Sequence, residues 1–233
     1  MAFVNGAPFD VSKIIFSAET KPNKSGGRNA MVSRDEVSGA RVEFQLGKRR
    51  ADAMRCPWGL DKVKQDAPED DPRKQMKVEL NAEAKVAIEK LEEATVAAAV
   101  EHSQAWFKEK KPLTESAVLD RFQSKLKTDD EKETTMLTLK VDTEGARKTV
   151  VKVCSAIGEG TYSTPVLGSY EDITPGCMVV PIVRISNGVY FVNKNFGTSL
   201  VAKELVVVKD AGAATSGSCT ACFASDEEGD GEE

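Results

Sequence analysis

A single histidine, His102, leaves little room for general acid and base chemistry in this chain of 233 residues. It falls in register with Ile88, Leu91, Thr95, Ala98 and Trp106 at spacings of three and four, so packing or capping is its expected role. Cys219-Thr-Ala-Cys222 has the spacing of half a zinc site or of a dithiol. A tetrahedral site needs two more ligands, and Cys56, Cys154 and Cys177 are scattered, so incidental thiols are expected, against a redox pair or a metal site. Asp61, Asp66, Glu69, Asp70 and Asp71 form the one compact acidic group before the C-terminal run. Their Pro-rich surroundings read as a solvated turn, with a magnesium-dependent nuclease as the enzyme alternative. Phosphate-loop, dinucleotide-binding, HExxH and GxSxG signatures are missing, so the expectation is no enzyme, no cofactor and no resident metal.

The stronger chemical pattern interleaves cations with aromatic rings. The first 58 residues hold Lys21, Lys24, Arg28, Arg34, Arg41, the run Lys48-Arg49-Arg50, and Arg55 beside Trp58. A later zone holds Lys152, Tyr162, Tyr170, Arg184, Tyr190, Phe191, Lys194 and Phe196. Single-stranded nucleic acid calls for such residues, because cationic groups track phosphates while ring faces stack bases without reading their edges. The candidate contacts are Lys48, Arg49, Arg50, Arg55, Trp58, Lys152, Arg184, Tyr190, Lys194 and Phe196. Arg184 and Lys194 are assigned to phosphates, and Tyr190 and Phe196, which flank Val192-Asn-Lys-Asn, to stacking. Each has a plainer reading: Trp58 between Pro57 and Gly59 can pin a turn, and either Tyr190 or Phe191 must face a core.

Charge distribution permits this reading although the formal net charge is -5. Residues 226 to 233 carry six acids and no base, which leaves the rest of the chain nearly neutral. Residues 1 to 58 hold ten basic side chains against six acidic ones, and the local field governs what approaches a surface.

The elements that must position these groups follow from periodicity. Strands are expected over Lys13 to Ser17 and Val37 to Leu46, with Val42, Phe44 and Leu46 on one face, and at Met76, Val78 and Leu80. Asn81 can cap a long helix, and Thr114 a shorter one carrying Val118, Leu119 and Phe122, with Leu113 and Val118 as a hydrophobic staple. Alternation resumes at Thr135 to Val141 and Val150 to Cys154, joined in this reading by a hairpin-like turn at Asp142 to Gly145. Met178 to Ile185 and Gly188 to Val192 read as a second hairpin through Asn187-Gly188, and Glu204 to Lys209 as a last strand. The fold class expected is mainly β with a helical insertion: an OB-fold-like, antiparallel, five-stranded barrel. Residues 1 to 209 would form that domain, with the insertion at about 81 to 126, and residues 210 to 233 a disordered acidic tail.

Several stretches resemble a known family, the single-stranded DNA-binding proteins of large nucleocytoplasmic DNA viruses of algae and protists. They are Cys56-Pro-Trp-Gly-Leu60, Met76-Lys-Val-Glu-Leu80, Ser103-Gln-Ala-Trp-Phe-Lys108, Met136 to Val141, Val180-Pro-Ile-Val-Arg-Ile185 and Gly188 to Gly197. The resemblance covers roughly residues 40 to 208. Its plan is similar to the bacteriophage T7 type of single-stranded DNA-binding protein, in which a five-stranded barrel carries an inserted helix and an acidic tail. The chain departs from the phage pattern by ending Gly-Glu-Glu without a terminal aromatic residue.

Together these readings give single-stranded DNA binding without sequence preference, in support of replication, recombination or repair. The competing classes are an RNA-binding protein and a structural or scaffold protein acting through protein contacts. Replication proteins are expected partners of the tail, and the apolar helix stripe could pack on the sheet or support a homo-oligomer. No apolar run approaches a membrane span, and an odd cysteine number favours reduced thiols, so an intracellular setting is expected, host cytoplasm or nucleus for a viral chain. The tail supplies a first prediction. A flexible acidic segment competes with phosphates for a basic surface, so deletion of residues 225 to 233 should raise oligonucleotide affinity chiefly at low salt, with a smaller gain as salt screens the competition. Titration of full-length and truncated protein across a salt series checks this, and equal affinities throughout would reject tail competition.

Overall fold

The computed structural model describes residues 2–4, 7–23, 26–34, 40–47, 52–63, 66, 68, 70–129, 133–158 and 161–209. Lys48, Arg49, Arg50, Glu69, Cys219, Cys222 and the acidic run lie outside them.

The helices begin where their capping residues stand. The Asn81 side chain accepts from the Ala84 N–H at the start of α1 (Ala82–Glu101), whose alanine-rich centre favours helix. Its inward stripe is Ala84, Ile88, Leu91, Thr95 and Ala98. His102 breaks the run with φ -100° and ψ 18°, α2 (Ser103–Phe107) follows, and Lys108 ends it in the left-handed region. Thr114 accepts from the Ala117 N–H and opens α3 (Glu115–Leu119), which is shorter than the sequence pattern implies because Phe122 leaves the helix to bridge to Phe196.

Two long strands organise the sheet, β14 (Cys177–Val192) and β15 (Asn195–Lys209). Their hairpin turns at Asn193 and Lys194, both with positive φ, as a type I′ turn requires. Against the outer edge of β14 lie β4 (Arg28–Ser33), β5 (Glu43–Leu46) and β6 (Met54–Cys56). The outer edge of β15 takes β10 (Thr134–Asp142) and β11 (Val150–Gly158), both parallel to it. Beyond β10 lie β8 (Arg73–Glu79) and then β7 (Leu60–Lys62), while β9 (Leu126–Asp129) also pairs β10. β3 (Ile15–Pro22) pairs β4 antiparallel, and the remaining strands are short: β1 (Ala2–Val4), β2 (Ala7–Pro8), β12 (Thr161–Tyr162) and β13 (Val166–Leu167).

This arrangement corrects the expected barrel. The path β2-β1-β5-β14-β15-β10-β8-β7 ends without returning to its first strand, and it mixes parallel with antiparallel pairs. Closure requires the first and last strands to meet with a consistent stagger, whereas alternation in sequence reveals only that each strand has one buried face. The expected hairpin between β10 and β11 is also replaced. The two strands run in the same direction along one edge of β15, and residues 143–148 loop out between them. Thr149 closes that excursion: its N–H donates to the Asp142 carbonyl at 2.7 Å and its hydroxyl to the Ala202 carbonyl at 2.7 Å. Gly145 does take positive φ, as the turn signal implied.

Asn187-Gly188 is likewise not a hairpin. Both residues have positive φ, but β14 continues through them with a register shift between Ile185 and Val189. The same dihedral freedom serves a bulge as well as a turn, and here a third strand selects the bulge, since Val189 pairs with Ala30 of β4. A Cβ on Gly188 would collide with the Ala30 carbonyl.

The core lies between the helices and one face of the sheet. Val42, Phe44 and Leu46 are buried together, as their alternation predicted, with Met76, Val78, Leu137 and Leu139. At the tip of the β14–β15 hairpin, Trp106 meets Phe191 edge-on at 5.4 Å and Phe107 meets Phe196 at 5.3 Å. Trp106 Nε1 donates to the Ser17 carbonyl at 2.9 Å, which satisfies its buried polar atom. The bulge gives a test. Gly188→Ala combines positive φ with a backbone clash and should lower stability by about 2–4 kcal/mol, whereas Gly145→Ala, with open space around its Cβ, should cost about 1 kcal/mol. Urea unfolding of both variants measures the contrast, and equal losses would refute the clash.

Candidate nucleic-acid interface

Directly opposed residues share a sheet face, so the ladder registers locate a polar row behind the core. Glu43 of β5 pairs with Arg184 of β14, Arg184 with Val201 of β15, Val201 with Lys140 of β10, and Lys140 with Gln75 of β8. The neighbouring row, Phe44, Val183 and Ala202, belongs to the core. Arg73 and Lys77 flank Gln75 by two positions and therefore stand on the polar face.

A groove of about 360 Å³ opens on this face, lined by Arg41, Arg73, Lys74, Lys140, Arg147 and Arg184. Asp142 is the one carboxylate among its described lining residues. The loop closed by Thr149 brings Arg147 there, and the Arg147 carbonyl accepts from the Arg184 guanidinium at 3.0 Å. Arg184 is 9% exposed and stands 3.7 Å from Asp142. Burial lowers its pKa, Asp142 opposes that shift, and the charges of Arg41 and Arg147 add to it. Lys140 is also pushed below the ordinary lysine value, first by desolvation of its amine and then by Lys125, against the pull of Asp142. Neighbouring protein crowds this amine although the residue as a whole is open to solvent. Arg73 is compensated by Asp71, which holds it through two hydrogen bonds of 2.8 and 3.0 Å, and that contact depresses the Asp71 pKa to about 2. The groove thus gathers cations that repel one another, which an entering polyanion would relieve.

Two aromatic rings, each attended by a lysine, adjoin this face. Trp58 is 57% exposed, and Lys77 Nζ stands 5.0 Å from its ring centroid. Tyr190 is half-buried, with Lys125 Nζ 3.1 Å from its hydroxyl and 5.1 Å from the ring centroid. Lys125 in turn acts on Lys140, so Tyr190 adjoins the cationic row.

The expected site residues therefore divide. Arg184 lines the groove, but its guanidinium is committed to Arg147 and Asp142. Trp58 presents a ring and is also the turn residue its neighbours suggested. Arg55 adjoins through an ion pair with Glu79 at 3.3 Å. Lys152 is paired with Glu204 at 2.8 Å and does not line the groove. Lys194 is exposed at the hairpin turn, in positive φ. Phe196 needs correction: it is 0% exposed, enclosed by Phe107, Phe122 and Phe191, and presents no ring face for stacking. Phe191, rather than Tyr190, is the core member of their pair. Tyr170 is also structural, its hydroxyl donating to the Thr149 carbonyl at 2.7 Å. His102 packs near Trp106, with ring centroids 5.6 Å apart.

The sequence reading missed Arg73, Lys74, Lys77, Lys125, Lys140 and Arg147. A signal existed for two of them, because Lys77 and Lys140 occupy the polar side of alternations whose apolar side identified the core. Among the described residues, no group of three or more His, Cys, Asp or Glu side chains could hold a metal ion. No described helix is long and apolar enough to cross a membrane.

No protein-family model matches the chain, and no curated protein matches it. Among solved structures, it is similar to the single-stranded DNA-binding protein from bacteriophage Enc34 in complex with single-stranded DNA, at 13% identity and a TM-score of 0.41, over 83% of this chain and 96% of that one. It is also similar to gp2.5, a single-stranded DNA-binding protein encoded by bacteriophage T7, at 18% identity and a TM-score of 0.39, over 78% of this chain and 94% of that one. Both are phage proteins, outside the algal and protist virus family that the sequence motifs resemble.

Lys140 gives the interface a pH signature. The cationic form attracts phosphate, and its depressed pKa means that the charge is lost as pH rises through a value below 10.5. Affinity for an oligonucleotide should therefore begin to fall at lower pH than an ordinary lysine would produce, and Lys140→Arg should flatten that portion of the profile. Superimposable profiles for the two proteins would remove Lys140 from the interface.

Proposed function

We propose that this chain binds single-stranded DNA without sequence preference, along the polar face of its open sheet, in support of replication, recombination or repair. The observation that carries the proposal is the groove whose described lining residues include six cations and one carboxylate, adjoined by Trp58 and Tyr190 with their lysines. Cations at Arg41, Arg147 and Lys140 attract successive phosphates, and the rings accept bases by stacking, which tolerates any sequence because every base has a π face. An open face admits a flexible single strand, whose unstacked bases can reach the rings. The acidic tail, in this reading, competes for the same face when DNA is absent and meets replication proteins when DNA displaces it.

Fluorescence anisotropy with a labelled mixed-sequence oligonucleotide over a salt series tests the proposal. Binding should weaken with salt at a slope of about -0.7 per phosphate neutralised, and Arg147→Ala should reduce the magnitude of that slope by about 0.7. Trp58→Ala should cost about 1–3 kcal/mol of affinity by removing a stacking face. Its effect on folding should be small, since the ring is largely exposed. An unlabelled RNA of the same sequence that competes better than DNA would favour the RNA-binding reading. No saturable binding by folded protein at low salt would leave the scaffold reading.

A further inference from the structure

A second groove, of about 630 Å³, lies between α1 and α3 and has the opposite character. Its floor is apolar, formed by Val96, Val100, Leu119 and Phe122. Leu119 is 50% exposed although its neighbour Val118 is buried, so α3 turns a large aliphatic group toward the opening. The rim carries Glu89, Glu92, Glu93 and Glu115, and no cation is among the described lining residues. Glu92 is structural: it accepts from the Ser124 hydroxyl at 2.8 Å and the Lys125 N–H at 2.7 Å. Among the described residues, Glu89 makes only a long exposed contact with Lys85, at 3.9 Å. Glu93 and Glu115 have no ion pair among the described residues and leave the rim acidic.

We propose that this groove docks an amphipathic helical segment of a partner protein, with an apolar stripe flanked by lysine or arginine. Charge complementarity selects the occupant. The apolar floor asks for leucine-like side chains at helical spacing, and a carboxylate rim favours cations beside that stripe while repelling acidic segments. Glu89 to Val100 on α1 spans about 16 Å at helical rise, which matches a partner helix of about three turns. The groove shares no described lining residue with the cationic groove that contains Arg184 and Lys140, so docking and occupation of the cationic face are compatible. Lys125 adjoins both, its N–H on Glu92 and its amine on Tyr190.

The test uses the full chain and a fluorescent synthetic peptide about three helical turns long, with leucines at i, i+3, i+4 and i+7 and lysines between them. A control peptide has the same composition with leucine and lysine strictly alternating, which destroys the helical stripe but keeps the charge. The expected result is saturable binding of the striped peptide at least tenfold tighter than of the control. Leu119→Lys and Glu93→Lys, both at exposed positions, should each weaken it at least tenfold while circular dichroism stays unchanged. Equal binding of both peptides, or equal binding by the variants, would overturn the proposal, since attraction to the acidic tail alone would give that pattern. Light scattering that shows a dimer dissociated by Leu119→Lys would also overturn it, by assigning the groove to a second copy. These readouts need no DNA, so their failure is distinct from failure of the DNA-binding reading.

Discussion

The ladder between Cys177–Val192 and Asn195–Lys209 is the constraint on which the other elements depend. Each strand has one edge committed to its partner and one edge free, and the free edges recruit the remaining chain in segments. β6 meets the start of β14 at Cys177, β5 its middle at Val183, and β4 its end at Phe191. On the other side, β11 covers the end of β15, while β10 touches it at Val201. Long strands make this sharing possible, and the bulge at Asn187-Gly188 lets β14 keep its pairing with β15 while changing neighbours from β5 to β4. A register slip of one residue in this ladder would exchange the faces of Val183 and Arg184, placing an arginine in the core and an aliphatic group in the groove.

The same ladder separates two incompatible environments. On the helical side, α1 and α2 cover the sheet, and Trp106, Phe107, Phe191 and Phe196 pack edge to face around the hairpin tip. Burial of such rings contributes about 1.5–3 kcal/mol for a large side chain, which is enough to hold a two-residue turn with strained, positive-φ residues in place. On the opposite side, the loop between β10 and β11 folds over the sheet and partly encloses Arg184, whose guanidinium finds the Arg147 carbonyl. Desolvation of that arginine is offset by a hydrogen bond and by Asp142, but Arg41 and Arg147 work against it. The face is therefore held together by the ladder and Thr149 rather than by its own electrostatics.

Local signals in the chain were reliable where a single element decides the outcome. Asn81 and Thr114 start helices because their side chains reach N–H groups three residues on. Val42, Phe44 and Leu46 alternate into the core, and Trp58 sits at a turn. Positive φ at Gly145 and Gly188 was also legible. What those positions do was not, because one dihedral choice fits a hairpin, a loop excursion or a bulge, and the choice rests with Ala30, Ala202 and Val201, which are distant in sequence.

The candidate interface shows the same division. By itself the sequence determined the supply of cations and rings, the helical insertion, the strand faces and the acidic end of the chain. Tertiary structure alone decided that Arg41, Arg73, Lys140, Arg147 and Arg184, contributed by separate segments, line one groove, and that Phe196 fills the core while Trp58 stays exposed. It also decided that the sheet stays open. The physical reason is that alternation and capping are set within a few residues, whereas pairing, register and edge closure depend on hydrogen bonds between strands far apart in the chain, whose partners no local pattern names.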